Sequence, residues 1–122
     1  MGAPHDLGIL GERLAARYLE EHGYTVIERN YRFGRREVDL IIRRGELVAF
    51  VEVKARAGSG YGHPLEAITA LKRREIERVA QRWLQRHGEP GLQPRFDAVG
   101  VVLRKGAEPV IEHVPNAWRL GE

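Results

Sequence analysis

The chain has 122 residues, enough for one domain with its own core, and no cysteine, which excludes disulfides and thiolate metal sites. Its apolar fraction of 43% fits a globular chain, and no apolar run approaches the ~20 residues of a membrane-spanning helix. The net charge is +3 with a pI of about 9.6, and the cations are mostly arginine, whose planar fork matches phosphate; this makes nucleic acid one expected partner, beside the plainer reading of a solvated basic surface.

A short leader, residues 1–5, precedes a helix expected to start at Asp6 as N-cap and to stop at Gly23 in the C′ position. Leu7, Leu10, Leu14, Tyr18 and Leu19 recur at helical spacing and define its core face. Glu12 projects near Ala16 and Leu19, at the margin of that apolar arc. A first-turn glutamate favoured by the helix dipole is the plain reading of it. The N-terminus carries no secretory pattern, so a cytoplasmic location is expected.

Strands are expected over 24–31, 37–42 and 47–54, with turns at 32–36 and around Gly45. In the second, alternation puts Glu37, Asp39 and Ile41 on one face and Val38, Leu40 and Ile42 on the other. The third is apolar on both faces, as an interior strand should be, until Glu52 and Lys54. The glycine-rich stretch 57–64, with His63, reads as a connector or a flap. It lacks the lysine-serine or lysine-threonine pair of a P-loop.

A long helix is expected from Glu66 to about His87, with Ile68, Leu71, Ile76, Val79, Ala80 and Trp83 as its buried stripe. Arg74, Arg78, Arg82 and Arg86 form a basic edge diluted by Glu75 and Glu77. Strands over 95–103 and 109–114 close the chain. The order helix, three strands, helix, two strands implies a single α/β domain over residues 1–122: one mixed sheet of about five strands with helices packed on it.

The hairpin at Gly45 can bring Asp39 opposite Glu52. Two close carboxylates in an apolar sheet repel and lose hydration, so they call for protonation, a cation, or both. With no cysteine, the oxygen donors suit Mg²⁺ or Mn²⁺. Lys54, on the face of Glu52, can offset charge or stabilise a phosphoryl transition state, which together describes a phosphodiester hydrolysis site. An ion-pair network among Asp39, Glu52 and Lys54 is the structural alternative, although buried ion pairs stabilise poorly.

Asp39 followed after twelve residues by Glu52-Val53-Lys54 resembles the signature of the PD-(D/E)xK nuclease superfamily. A wider pattern resembles the YraN-like bacterial family, which is similar to archaeal Holliday-junction resolvases. That pattern comprises Gly8-x-x-Gly11-Glu12-x-x-Ala15, Gly23-Tyr24, Asn30-Tyr31-Arg32, Glu37-Val38-Asp39-Leu40-Ile41 and Phe50-Val51-Glu52-Val53-Lys54-x-Arg56. It continues through Tyr61-Gly62-x-Pro64-x-Glu66-Ala67, Lys72 and Arg95-Phe96-Asp97, covering nearly the whole chain. Val38 replaces the proline of the superfamily's name, and Arg36 replaces a usual glycine.

The resemblance implies a restriction-endonuclease-like three-layer fold and Mg²⁺- or Mn²⁺-dependent cleavage of DNA, with branched DNA as one substrate. Asp39, Glu52 and Glu12 would be the metal-binding carboxylates, the Val53 carbonyl a further ligand, and Lys54 the catalytic lysine. Arg36, Arg56, Lys72, Arg74 and Arg78 are the candidate nucleic-acid contacts. Resolvase-like action on two symmetric strands implies a homodimer. A nucleic-acid-binding module without catalysis on the same scaffold is the second reading, because fold does not fix activity. Glu37, on the face of Asp39, reads either as a support of the site or as solvated, and Asp97, entering a strand, either as tuning the site or as satisfying a loop amide.

Overall fold

The structure, a computed structural model, describes residues 4–58 and 64–121. Helix α1 (Pro4–Glu21) leads into strands β1 (Thr25–Phe33), β2 (Arg36–Arg44) and β3 (Leu47–Ala57). A single 3-10 turn at Pro64–Ala67 precedes helix α2 (Ala70–His87), and strands β4 (Gln93–Leu103) and β5 (Val110–Trp118) complete the chain. The expected flap, including His63, falls mostly at 59–63, outside the described residues.

The five strands form one sheet in the order β1-β2-β3-β4-β5. Short turns make β1–β2, β2–β3 and β4–β5 antiparallel. β3 and β4 are parallel, in register from Leu47↔Gln93 to Ala57↔Leu103, and the connection between them carries α2, as a parallel pair requires. The sheet has a separate core on each face. Ala15, Ala16 and Leu19 of α1 pack with Leu40, Ile42, Val51 and Val99 on one side. Ile76, Val79, Ala80 and Trp83 of α2 pack with Val38, Phe50, Phe96 and Trp118 on the other. The result is the expected α/β fold: three layers around a mixed five-stranded sheet, consistent with the restriction-endonuclease-like arrangement.

Local chemistry sets the ends of the helices. At the end of α1, Gly23 (φ +92°) donates to the Glu20 carbonyl and Tyr24 donates to that of Leu19, the paired bonds of a glycine-terminated helix. α1 starts at Pro4, so Asp6 lies in its first turn and is not the N-cap. Thr69, not a residue near Glu66, caps α2, its Oγ1 accepting the Lys72 N–H at 3.1 Å.

Two apolar residues leave the expected core. Leu71 is 61% exposed because it projects about 130° away from the centre of the Ile76–Trp83 stripe. Leu10 is 44% exposed because the buried part of α1 begins at Gly11. Glu77 is absent from the basic edge: it is buried and accepts a hydrogen bond from Trp118 Nε1 at 3.2 Å. β5 runs past Pro115, which an edge strand tolerates because it need not donate on its outer side.

Asp97 is fully buried at an irregularity in the β4–β5 pairing. Its carboxylate accepts two hydrogen bonds from Arg95 (2.8 and 2.7 Å), one from the Asn116 N–H (3.0 Å) and sits 2.8 Å from His113 Nε2. Arg95 also donates to the Tyr24 hydroxyl at 3.0 Å, tying the start of β1 to β4. Burial raises the pKa of Asp97, but the bonds from His113, Arg95 and Asn116 outweigh it and leave the net shift downward. Removing this carboxylate would strand the partly buried Arg95 guanidinium. Asp97→Ala should therefore lose about 3–5 kcal/mol in urea unfolding at pH 7, and a loss under 1 kcal/mol would refute a structural role for the network.

Candidate functional site

The site lies where β2 and β3 part. Their pairing runs from Arg44↔Leu47 to Leu40↔Val51 and stops there. Continuing the same register brings Asp39 opposite Glu52. In place of a strand carbonyl, Asp39 Oδ2 accepts the Val53 N–H at 2.8 Å. The alternation of β2 breaks at this residue. Val38 belongs to the α2-side core with Ile41, whereas Leu40 and Ile42 belong to the α1 side. The simple two-face reading of β2 is thereby corrected: a side chain has taken the place of a backbone partner, so the pleat does not continue.

Asp39 stands between two groups of charges. Toward α1, carboxylate oxygens of Glu12, Glu37 and Asp39 all lie within 4.8 Å of one another. Asn30 bridges two of them, donating from Nδ2 to Glu12 Oε1 at 2.8 Å and to Glu37 Oε1 at 3.0 Å. Asn30 holds a left-handed backbone (φ +50°), a conformation asparagine tolerates better than most residues. Glu37 Oε2 also pairs with Arg32 at 3.0 Å.

On the other side, Glu52 is only 4% exposed. Its Oε2 lies 3.6 Å from Lys54 Nζ and 3.9 Å from Lys72 Nζ. Among the described residues its Oε1, which is buried, has no hydrogen-bond partner. A buried carboxylate oxygen left without a donor is expensive, which favours a proton or a cation at this point.

The titration of these groups reflects that environment. Burial, then the Glu52 charge, raises the Asp39 pKa to about 8, against the Val53 N–H and the Lys72 charge, which lower it. Burial also raises Glu52, opposed chiefly by Lys72, by the bond to Asp39 and by Lys54. Burial raises Glu12 as well, opposed by Asn30 and reinforced by Asp39 and Glu37. A proton shared between Asp39 and Glu52 is thus one way to relieve the cluster, and a cation is the other.

The helix that carries Glu12 is held close to the sheet. A methyl group placed on Gly11 would stand 2.5 Å from Ala55 Cβ, so glycine at this position sets how near Glu12 comes to Asp39. The structure therefore brings Asp39, Glu52, Lys54 and Glu12 together. Val53 contributes its N–H. Of the cationic candidates, Lys72 enters the site by its ion pair with Glu52, and Arg36 is half-buried just before Glu37. Arg56, Arg74 and Arg78 are exposed outside the cluster.

Two participants were not among the metal ligands expected from the sequence. Glu37 shares the tight group with Glu12 and Asp39, and Asn30 joins the first two. An asparagine inside a run of strand formers was the available signal for Asn30.

An α/β domain with carboxylates gathered at a break in its sheet, flanked by two lysines, is the class these features define. The chain belongs to the UPF0102 family. The model of "Uncharacterised protein family UPF0102" matches residues 11–101. A UPF0102 protein of Rhodococcus jostii is 47% identical over 92% of this chain and 95% of its own. UPF0102 proteins of Chlorobaculum tepidum and Geobacter sulfurreducens are 42% and 43% identical, covering 100% and 98% of this chain and 98% and 94% of their own. Among the described residues no helix is long and apolar enough to cross a membrane.

A carboxylate whose pKa is raised by folding holds its proton more tightly in the folded state. Its contribution then opposes folding as pH rises above the unfolded value of about 4. For Asp39 this penalty is complete only above about pH 8. The melting temperature of the metal-free protein should fall from pH 5 to pH 9, and Asp39→Asn should flatten that slope. Millimolar Mn²⁺ should raise the melting temperature of the wild-type protein more at pH 8 than at pH 5, and should leave Asp39→Asn unmoved. Equal effects of Mn²⁺ on both proteins would refute the cluster as a cation site.

Proposed function

We propose that this chain is a Mg²⁺- or Mn²⁺-dependent endonuclease of the PD-(D/E)xK type that hydrolyses phosphodiester bonds in DNA, with branched DNA as its expected substrate. One observation carries the reading. Asp39 and Glu52 are packed against each other, Glu52 Oε1 has no partner among the described residues, and two lysines, Lys54 and Lys72, sit on the other oxygen of Glu52. An ion-pair network built for stability would leave no buried oxygen orphaned. The donor set is all oxygen, which suits a hard divalent cation and not a soft one.

Asp39 and Glu52 would hold that cation, helped by Glu12 and, across the Asn30 bridge, by Glu37. When bound, a divalent ion of this kind supplies Lewis acidity toward a phosphoryl oxygen and lowers the pKa of water. The remaining work falls to the chain's own residues. Lys54, about one-third exposed and tethered to Glu52, can donate to a non-bridging phosphoryl oxygen as negative charge builds there. Lys72 helps keep Glu52 ionised, since its charge is the main influence lowering the pKa of that group. Asn30 fixes the rotamers of Glu12 and Glu37 so that neither must be ordered when substrate arrives. Action on two symmetric strands would require two copies of the site, hence a homodimer.

Purified protein should cut branched or single-stranded DNA in Mn²⁺ and not in EDTA. Asp39→Ala should lose at least about 100-fold in rate, and Lys54→Ala about 100-fold with DNA binding retained. Cleavage surviving in Asp39→Ala would overturn the assignment. Salt-sensitive DNA binding by wild-type protein that never cuts, in either metal, would establish the non-catalytic binding module in its place.

A further inference from the structure

Beyond the carboxylates, a hollow of about 480 Å³ lies between the β1–β2 turn and α2, lined by Phe33, Arg36, Arg78, Gln81, Arg82 and Gln85. We propose that it is a channel for one unpaired nucleic-acid strand, with Phe33 as the platform on which a base stacks. This rests on the reading of the protein as acting on nucleic acid.

The composition of the hollow selects its occupant. Three guanidinium groups and two amides line it, and among the described residues no carboxylate does. That demands an anionic ligand rich in hydrogen-bond acceptors. Phe33 is 40% exposed, although it ends a strand whose partner β2 is largely buried. The Arg82 guanidinium stands 5.4 Å over its ring, which orients the ring without covering it entirely. A half-exposed aromatic ring in a hollow lined by arginines offers what a nucleotide needs: a π-face for the base and charge for the phosphate. A continuous duplex cannot use it, because its base faces are already stacked on one another, whereas an unpaired strand can.

The placement favours a strand over a free nucleotide. Arg78 and Arg82 lie about 9 and 15 Å along the α2 axis from Lys72, the residue paired with Glu52. The four-residue step from Arg78 to Arg82 advances about 6 Å, the scale of phosphate spacing along an extended strand. At the opposite wall Arg36 immediately precedes Glu37, which belongs to the carboxylate group. A strand in the hollow would therefore lead its backbone toward Asp39 and Glu52. The basic edge read from the sequence thus becomes one wall of a channel, with the β1–β2 turn as the other.

The test is fluorescence anisotropy with a labelled 20-nucleotide oligothymidylate and a duplex of equal length, both in EDTA so that nothing is cut. Phe33→Ala should weaken single-strand binding by at least about fivefold, Phe33→Trp should restore it, and duplex affinity should change less than twofold in either variant. Arg36→Ala with Arg78→Ala should lower the salt slope for the single strand by about one to two. Thymidine monophosphate should compete only at concentrations far above the oligonucleotide. Equal effects of Phe33→Ala on single strand and duplex, no effect on either, or equal competition by the monophosphate would overturn the channel. Because binding is read without metal, single-strand binding by a protein that never cuts would sink the nuclease reading and leave the channel standing. Cleavage with unchanged KM in Phe33→Ala would do the reverse.

Discussion

The hydrogen bond from the Val53 N–H to Asp39 Oδ2 is the contact on which the rest of the site depends. In an uninterrupted antiparallel pair that N–H would meet a carbonyl of β2, and Asp39 and Glu52 would project as ordinary neighbours. Here a carboxylate occupies the backbone's place. The ladder ends at Leu40↔Val51, the pleat of β2 loses its phase, and Val38 and Leu40 fall into opposite cores. The same break gives α1 and α2 access to one point in the sheet, so a glutamate from one helix and a lysine from the other can meet a pair of strand carboxylates.

That convergence needs both helices at a fixed height. For α1 it comes from Gly11, whose missing side chain lets the helix rest directly on Ala55. For α2 it comes from Thr69, which starts the helix at the point where Lys72 reaches Glu52. Neither residue touches the carboxylates. Both decide whether the carboxylates have their neighbours, because a helix shifted by one residue would turn Glu12 or Lys72 about 100° away.

The fold was legible because its apolar periodicities are strong and its turns carry glycine. The stretches 24–31, 37–42 and 47–54 read as strands, and Ile76, Val79, Ala80 and Trp83 as one face of a helix. Where legibility failed, a side chain had overridden backbone regularity. Strict alternation misplaced Val38 relative to Leu40, since it cannot foresee that Asp39 will accept a strand N–H. Composition alone put Glu77 among the arginines, yet Trp118, forty-one residues later in the chain, draws it into the core. The motif residues Asp39, Glu52 and Lys54 were visible as charges in apolar strands. Glu37 was visible only as a residue on the face of Asp39; that Asn30 joins it to Glu12 was not, because the bridge depends on a left-handed residue in β1 that no spacing rule encodes.

The molecule contains a built-in comparison for its own carboxylate cluster. Asp39 and Asp97 are both strand aspartates at a break in the ladder, and each accepts a strand N–H, from Val53 and Asn116. Asn30 and Asn116, the two non-glycine residues with left-handed backbones among those described, lie one at each break. From there the two sites diverge. Asp97 gathers Arg95 and His113 until its oxygens are met, and its pKa falls. Asp39 faces Glu52, Glu12 and Glu37 with the Lys72 charge too weak to offset them, its pKa rises, and among the described residues the neighbouring Glu52 Oε1 has no partner. The same backbone device, satisfied in one place, ties strands together. Left unsatisfied in the other, with lysines at its rim, it carries an electrostatic cost that a shared proton or a bound cation would relieve.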